Sequence, residues 1–238
     1  MKTLKLSSFL LPLLVICGCY WEMPESISGN GDIVSEERQV PSFSGISVSA
    51  GIDVFITQGN EENVKVVTDE NLLEVVKTEV EDNVLKIYAG KNIGKAASKK
   101  VYVNYVNLNK IKVSSAGDLK GENTLNTDEL EIKVSSSGDL KLDVIAQKIN
   151  IDISSSGDAN LSGKTDYLKA DLSSAGDLNA FDLEAKVGDI SVSSAGDANV
   201  FITEEASFSS SSAGDIVYKG DPSIKHISTS SSGTVRKK

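Results

Sequence analysis

Apolar and polar residues alternate with a period of two through most of the chain beyond residue 110. The clearest runs are Leu130, Ile132, Val134; Ile149, Ile151, Ile153; Leu168, Ala170, Leu172; and Ile190, Val192. A period of two sends successive side chains to opposite faces of a strand, and no stretch of this half carries the 3.6-residue stripe of a helix. Each run ends in Ser-Ser-Ala-Gly-Asp or Ser-Ser-Ser-Gly-Asp, and a second alternating run follows, such as Leu140, Leu142, Val144. The motif's Gly falls at positions 117, 138, 157, 176, 196 and 214, a mean spacing of about 19 residues, and Ser231-Ser232-Gly233-Thr234 closes the series. The repeating unit is therefore strand, Ser-Gly-Asp corner, strand, second corner.

A unit of that size cannot bury its own apolar face. Stacking each unit on the next pairs every strand with its copy and makes one continuous core, which predicts an all-β parallel β-helix or similar solenoid with coils of about 19 residues. At a strand spacing of about 4.8 Å, six periods give a rod about 29 Å long. A meander of antiparallel hairpins is the alternative, but it does not require the same corner sequence after every circuit. Gly at each corner is expected to supply a backbone conformation with positive φ, and the small residue before it to stack on its copies.

Residues 37–113 alternate in the same way but less regularly, through Val40, Ile46, Val48, Val54, Ile56, Val64, Val66, Leu85, Ile87, Val101, Val103, Ile111 and Val113. Ser49-Ala50-Gly51-Ile52-Asp53 looks like a degenerate corner. Glu70 to Val80 predicts a short helix or turn, and Gly90 to Lys100 a loop. The expectation is a less regular N-terminal β unit that caps the solenoid or packs on it at an angle, followed by the repeat solenoid over 114–233 and a basic tail over 234–238.

The start of the chain carries an address. Lys2 and Lys5 precede an apolar run from Phe9 to Ile16 that is too short to span a bilayer and suits a secretory signal. Ile16-Cys17-Gly18-Cys19 is similar to the lipobox of bacterial lipoproteins, so residues 1–18 are expected to be removed and Cys19 to be lipidated. Acylation of Cys19 leaves no thiol for a disulfide, and anchors the chain to a membrane without a transmembrane helix. Residues 19–36 mix Pro, Gly, Ser and acids without a period and predict a flexible tether. Tyr20, rather than Asp, after the lipidated Cys points to the outer membrane of a Gram-negative envelope, with the periplasmic or external face left open.

Composition narrows the function. The 238 residues are 39% hydrophobic but only 5% aromatic, so the core is built from Val, Ile and Leu. A formal charge of -10 argues against nucleic acid as a partner. One His and two Arg leave little material for His-based catalysis or for an Arg base, and no cofactor is implied.

Two features together resemble the bacterial family described as putative auto-transporter adhesin, head GIN domain. One is Arg38-Gln39-Val40-Pro41-Ser42-Phe43-Ser44-Gly45-Ile46-Ser47-Val48 followed by Ile52-Asp53-Val54-Phe55-Ile56-Thr57-Gln58-Gly59; the other is the run of Ser-Gly-Asp corners. The resemblance spans roughly residues 36–233. It implies a right-handed parallel β-helix and suggests adhesion, and it carries no catalytic motif.

In-register stacking would align Asp118, Asp139, Asp158, Asp177, Asp197 and Asp215 into a ladder. Neighbouring carboxylates 4.8 Å apart repel by about 0.9 kcal/mol in water, so something should offset them. Calcium is one candidate; the plainer reading is an Asx-type bond from each Asp to its own corner. The Ser series either packs against its copies or presents hydroxyls to glycans. These Asp repeat in one setting, whereas acid-base catalysis needs two carboxylates in different environments, so no catalytic residue is expected. The sequence thus predicts a non-catalytic envelope lipoprotein that binds a polysaccharide or a surface protein. The alternatives are a lipid- or small-molecule-binding protein using a groove between the two β units, and a structural stalk.

Overall fold

The computed structural model describes residues 26–238; the signal segment, Cys19 and the first part of the tether lie outside them. The chain runs through β1 (Ser26–Ile27), β2 (Ile33–Arg38), β3 (Gly45–Val48), β4 (Asp53–Gln58), β5 (Asn63–Asp69), β6 (Val76–Glu81), β7 (Val84–Ala89), β8 (Asn92–Ile93), β9 (Lys99–Tyr105), β10 (Lys110–Val113) and β11 (Asp118–Gly121). Longer strands follow: β12 (Leu125–Val134), β13 (Asp139–Ile153), β14 (Asp158–Leu172), β15 (Asp177–Val192) and β16 (Asp197–Ser210). The last are β17 (Asp215–Lys219), β18 (Ser223–Thr229) and β19 (Thr234–Lys237). It is a β-solenoid of about seven turns with coils of about 19 residues.

Parallel pairing holds each coil to the next. Leu140 lies opposite Ala159, Ile151 opposite Ala170, and Ile153 opposite Leu172; the same positions continue through Leu178, Ile190 and Val192. These inward rows are almost completely buried. A large residue often faces a small copy, as with Ile151, Ala170 and Ile190, which lets successive layers interdigitate within a fixed strand spacing.

The segment before Lys110 is not a separate unit. β3 and β4 form a coil of the same solenoid, pairing in parallel with β10 and β11 on one side and with β7 and β9 on the other. The coils therefore stack out of chain order, with 84–105 outermost, 45–58 next and 110–121 third. One hydrophobic cluster runs from Phe43 to Ile216. The alternative ligand site, a groove between two β units, meets backbone pairing at that junction, because both sides present matching strand edges.

At the outer end the pairing becomes antiparallel: β5 and β6 run against the coils, and β2 returns to their direction. β6 runs antiparallel to β7, β5 antiparallel to β9, and β2 antiparallel to β5. The β6–β7 turn uses Asp82 and Asn83 at φ 50° and 60°, the mirror-image turn favoured in tight hairpins. The short helix or turn expected over 70–80 is a single 3-10 turn at Glu70–Leu72, after which β6 begins. The Arg38 guanidinium donates to the Leu73 and Val76 carbonyls, tying β2 to the segment that enters β6. The expected tether ends earlier than residue 36, since β1 pairs with β8 and Ile33–Arg38 are fully paired in β2. The basic tail also joins the fold, because Thr234–Lys237 continue the corner and pair with β17.

Asp69 locks this end together. It is fully buried, and its carboxylate accepts from the backbone N–H groups of Gly31 (2.7 Å), Ala97 (2.8 Å) and Ser98 (3.2 Å). Burial pushes its pKa up, but the three backbone donors outweigh that and hold it below its ordinary value. A side chain on Gly29 would collide with it.

Candidate functional site: the outer face of the coils

Every Ser-Gly-Asp corner takes the same left-handed backbone pair, and most add the same turn bond. In Ser135-Ser136-Ser137-Gly138, the Gly138 N–H donates to the Ser135 carbonyl at 3.0 Å, while Ser136 and Ser137 take φ 52° and 57°. The expectation for the glycine is thus corrected. The two residues before it adopt the left-handed conformation, and the repeat glycines do not. Gly is required for space: a side chain on Gly157 would lie 2.9 Å from the Val134 carbonyl carbon and oxygen of the adjoining coil. Left-handed backbone costs a non-glycine residue about 1 kcal/mol or more. It persists because the corners bond one another, the Ser137 N–H donating to Ser155 O and the Ser156 N–H to Ser174 O, each at 3.1 Å.

The corner aims the next residue outward, and register does the rest. Asp118, Asp139, Asp158, Asp177, Asp197 and Asp215 stand opposite one another in successive coils. Asp53 joins them, paired with Asp118. Its corner was visible in the sequence, but its place beside Asp118 depends on the 84–105 coil being inserted on the far side. Lys100 ends the row at one end and Thr234 at the other.

These carboxylates do not turn back on their own corners as an Asx bond would. Asp177 accepts from the Asp197 backbone N–H at 3.1 Å, one coil along, and Asp215 accepts from the Thr234 hydroxyl. Partial burial, followed by the charges of Asp53 and Asp139, raises the Asp118 pKa. Asp158 and Asp197 are raised in the same way, each between two like neighbours. Among the described residues no group of three or more His, Cys, Asp and Glu converges as metal ligands. A straight ladder offers one carboxylate per coil, and calcium takes six to eight oxygens. The left-handed Ser residues, including Ser136, Ser137, Ser155 and Ser156, are exposed, so the hydroxyls face solvent rather than packing against their copies.

A second outward row lies two residues further along each strand. In register it reads Lys65, Tyr102, Phe55, Lys120, Lys141, Asn160, Asn179 and Asn199. Asn179 donates to Asn160 across the coils at 3.2 Å. The Phe55 and Tyr102 rings are stacked with centroids 5.1 Å apart. The sequence could not reveal this stack, because the two rings come from coils adjacent in space and 47 positions apart in the chain.

Two concavities on the described surface are shallow and open, with mixed polar and apolar linings. One, of about 500 Å³, is bordered by Lys110, Glu131, Lys133, Asp152 and Lys169. The other, of about 720 Å³, is bordered by Asn126, Ile145, Gln147, Lys164 and Asp166. Among the described residues no helix is long and apolar enough to cross a membrane.

A stacked-coil body with extended polar rows is the architecture of a β-solenoid whose chemistry lies on its outer face. The chain belongs to the family described as putative auto-transporter adhesin, head GIN domain, whose profile matches residues 42–222. Solved structures share the fold. A putative adhesin from Bacteroides fragilis superimposes with a TM-score of 0.82 at 24% identity, covering 90% of this chain and all of that one. A putative adhesin from Parabacteroides distasonis gives 0.74 at 25% identity with the same coverage. A protein of that species described as a putative lipid binding protein gives 0.72 at 24%, again covering 90% of this chain and all of that one. No curated protein matches the chain.

Proposed function

We propose that this protein is a non-catalytic, lipid-anchored component of the bacterial envelope that holds a partner against the outer face of its solenoid. Cys19 carries the lipid, the outer membrane is the membrane concerned, and the folded body begins within a few residues of the anchor. The observation that carries this reading is the register of the outward rows. Seven aspartates and the row beside them repeat at one strand spacing on an exposed face, an array suited to an extended or repeating partner. The repetition also speaks against acid-base catalysis, since the carboxylates share one kind of environment rather than two. Family membership supports a surface or envelope role.

Protease shaving of intact cells tests the reading, together with fractionation of a Cys19→Ser variant. Digestion of the wild-type protein on intact cells, and release of C19S from the membrane fraction, are the expected results. Full protection from protease in intact cells overturns the adhesive role, and membrane retention of C19S overturns the anchor.

A further inference from the structure

The sheet face that holds the Asp row ends in a free strand edge at both ends of the solenoid. Among the described residues β2 pairs only with β5, and β19 only with β17. Ten strand spacings, about 48 Å, separate these two strands. Two reversals, from β9 to β5 and from β5 to β2, return β2 to the direction of the coils. The free edges of β2 and β19 are therefore parallel, and a second copy set end to end continues the face in one register. The row that begins at Glu37 runs through Lys65, Tyr102 and Phe55 and ends at Arg236; the row beside it begins at Ser35 and ends at Thr234.

Stacking in that register sets Arg236 of one copy beside Glu37 of the next, and Thr234 beside Ser35. Glu37 and Arg236 are exposed, and neither forms an ion pair among the described residues. On the inner side of the same strands Val235 and Lys237 meet Glu36 and Arg38, which are already paired with each other, while Lys237 is held by Asp221. The two ends also carry three of the five large apolar residues exposed on the described surface, Ile33 at one and Ile224 and Ile227 at the other, so bare apolar area is concentrated where copies would meet. Like ends do not fit: open end on open end sets Arg236 and Lys237 against their own copies, covered end on covered end does the same with Glu36 and Glu37, and like charges across paired strands destabilise. We infer that the protein stacks head to tail on a second copy of itself, β19 of one copy pairing in parallel with β2 of the next. A contact of this kind does not close on itself, so it extends along the solenoid axis and carries the outward rows from copy to copy. A four-residue edge is small beside the roughly 800 Å² per partner of a stable interface. The stacking therefore depends on the high local concentration that a lipid anchor gives on a membrane, and to that extent rests on the anchoring proposed above.

The test is cysteine crosslinking of the full-length protein in membranes of expressing cells under mild oxidation. Neighbouring parallel strands about 4.8 Å apart are within disulfide reach. Ser35→Cys and Thr234→Cys expressed together should give disulfide-linked dimers, and each alone should give none. The double variant S35C/T234C should give a ladder of trimers and longer species, since its two cysteines are too far apart to close within one copy. Adding Arg236→Glu to the T234C chain should lower the yield of mixed dimer about threefold or more, and Glu37→Arg in the S35C chain should restore it. All four positions are exposed, and unfolding temperatures equal to wild type show that the variants fold. Absence of the mixed dimer, dimers from T234C alone, or a yield unmoved by Arg236→Glu overturns the assignment. If the variants sit in the membrane fraction and no dimer forms, the stacking falls and the anchoring stands. If they are absent from the membrane fraction, the anchoring falls and the stacking falls with it.

Discussion

The coils from Lys110 onward and the segment from Ile33 to Tyr105 bury the same kinds of side chain in the same continuous core, yet they organise strand edges differently. In the first, each coil adds to the last in chain order and every strand runs parallel to its neighbours. In the second, one coil is set outside its predecessor and three antiparallel strands cover the end. An exposed parallel edge is a template for further strand addition, and antiparallel strands close it with short turns where a parallel strand would need a full circuit. Among the described residues nothing covers the opposite end in this way, and every residue of β18 is exposed, Ile224 and Ile227 among them. The repeats therefore supply length, and the irregular segment supplies an end.

Core truncation gives the largest effects and asks whether the two regions fold as one. Leu85→Ala, in the outermost coil, and Ile151→Ala, in the middle of the repeats, should each cost about 2–5 kcal/mol and shift a single unfolding transition. Two resolved transitions under calorimetry, with Leu85→Ala moving only one, would show that the irregular segment is an independent unit after all.

At the corners an inverted glycine pattern is expected. Gly157→Ala forces a methyl group against the Val134 carbonyl and should destabilise by about 1–3 kcal/mol. Ser156→Gly, at φ 58°, relieves left-handed strain and should be neutral or stabilising by up to about 1 kcal/mol. Chemical denaturation of both variants decides the matter; a neutral or stabilising Gly157→Ala would mean that the adjoining coil does not exclude a side chain there.

The smallest effects are electrostatic and set the two regions in opposition. Asp118, Asp158 and Asp197 have raised pKa values, so they bind protons more tightly when folded. Their ionisation opposes folding at neutral pH, and that penalty fades as pH falls through the raised values towards 3.8. Asp69 has a lowered pKa, so its stabilisation is complete above 3.8 and is lost as pH falls through its lowered value. Thermal stability should therefore rise modestly from neutral to mildly acidic pH and fall below it. Asp158→Asn should flatten the rise by less than about 1 kcal/mol, since these side chains remain largely solvated. Asp69→Asn removes this titration, so it should lower stability at neutral pH, weaken the acid fall and make the Gly29–Asp32 segment protease-sensitive. A stability that only declines from pH 7 downward would contradict the ladder's repulsion.

Much of the repeat half was legible because its information is local. Ile149, Ile151 and Ile153 declare an inward face by alternation alone, and the recurring Ser-Gly-Asp declares which residues share a level. The degenerate corner at Ser49–Asp53 was legible too, but its neighbours were not. Nothing near Asp53 in the chain indicates that Lys100 and Asp118 flank it. The glycine's role is not legible for a related reason: positive φ is a local preference, whereas the contact that excludes a side chain at Gly157 comes from Val134 in another coil. The tether is shorter than composition implies: Ile33–Arg38 have the composition of a solvated segment, and pairing with β5 orders them.

The sequence by itself determined the strand period, the coil length, the Asp ladder from Asp118 to Asp215 and the family, since each depends on spacing repeated along the chain. Tertiary structure alone decided the order in which the first coils stack, the antiparallel cover, the buried Asp69 lock and the meeting of Phe55 with Tyr102. These depend on which strand edges meet, and edge pairing is a backbone interaction with little side-chain signature. The most distinctive surface of the protein therefore arises where coils adjacent in space are distant in the chain.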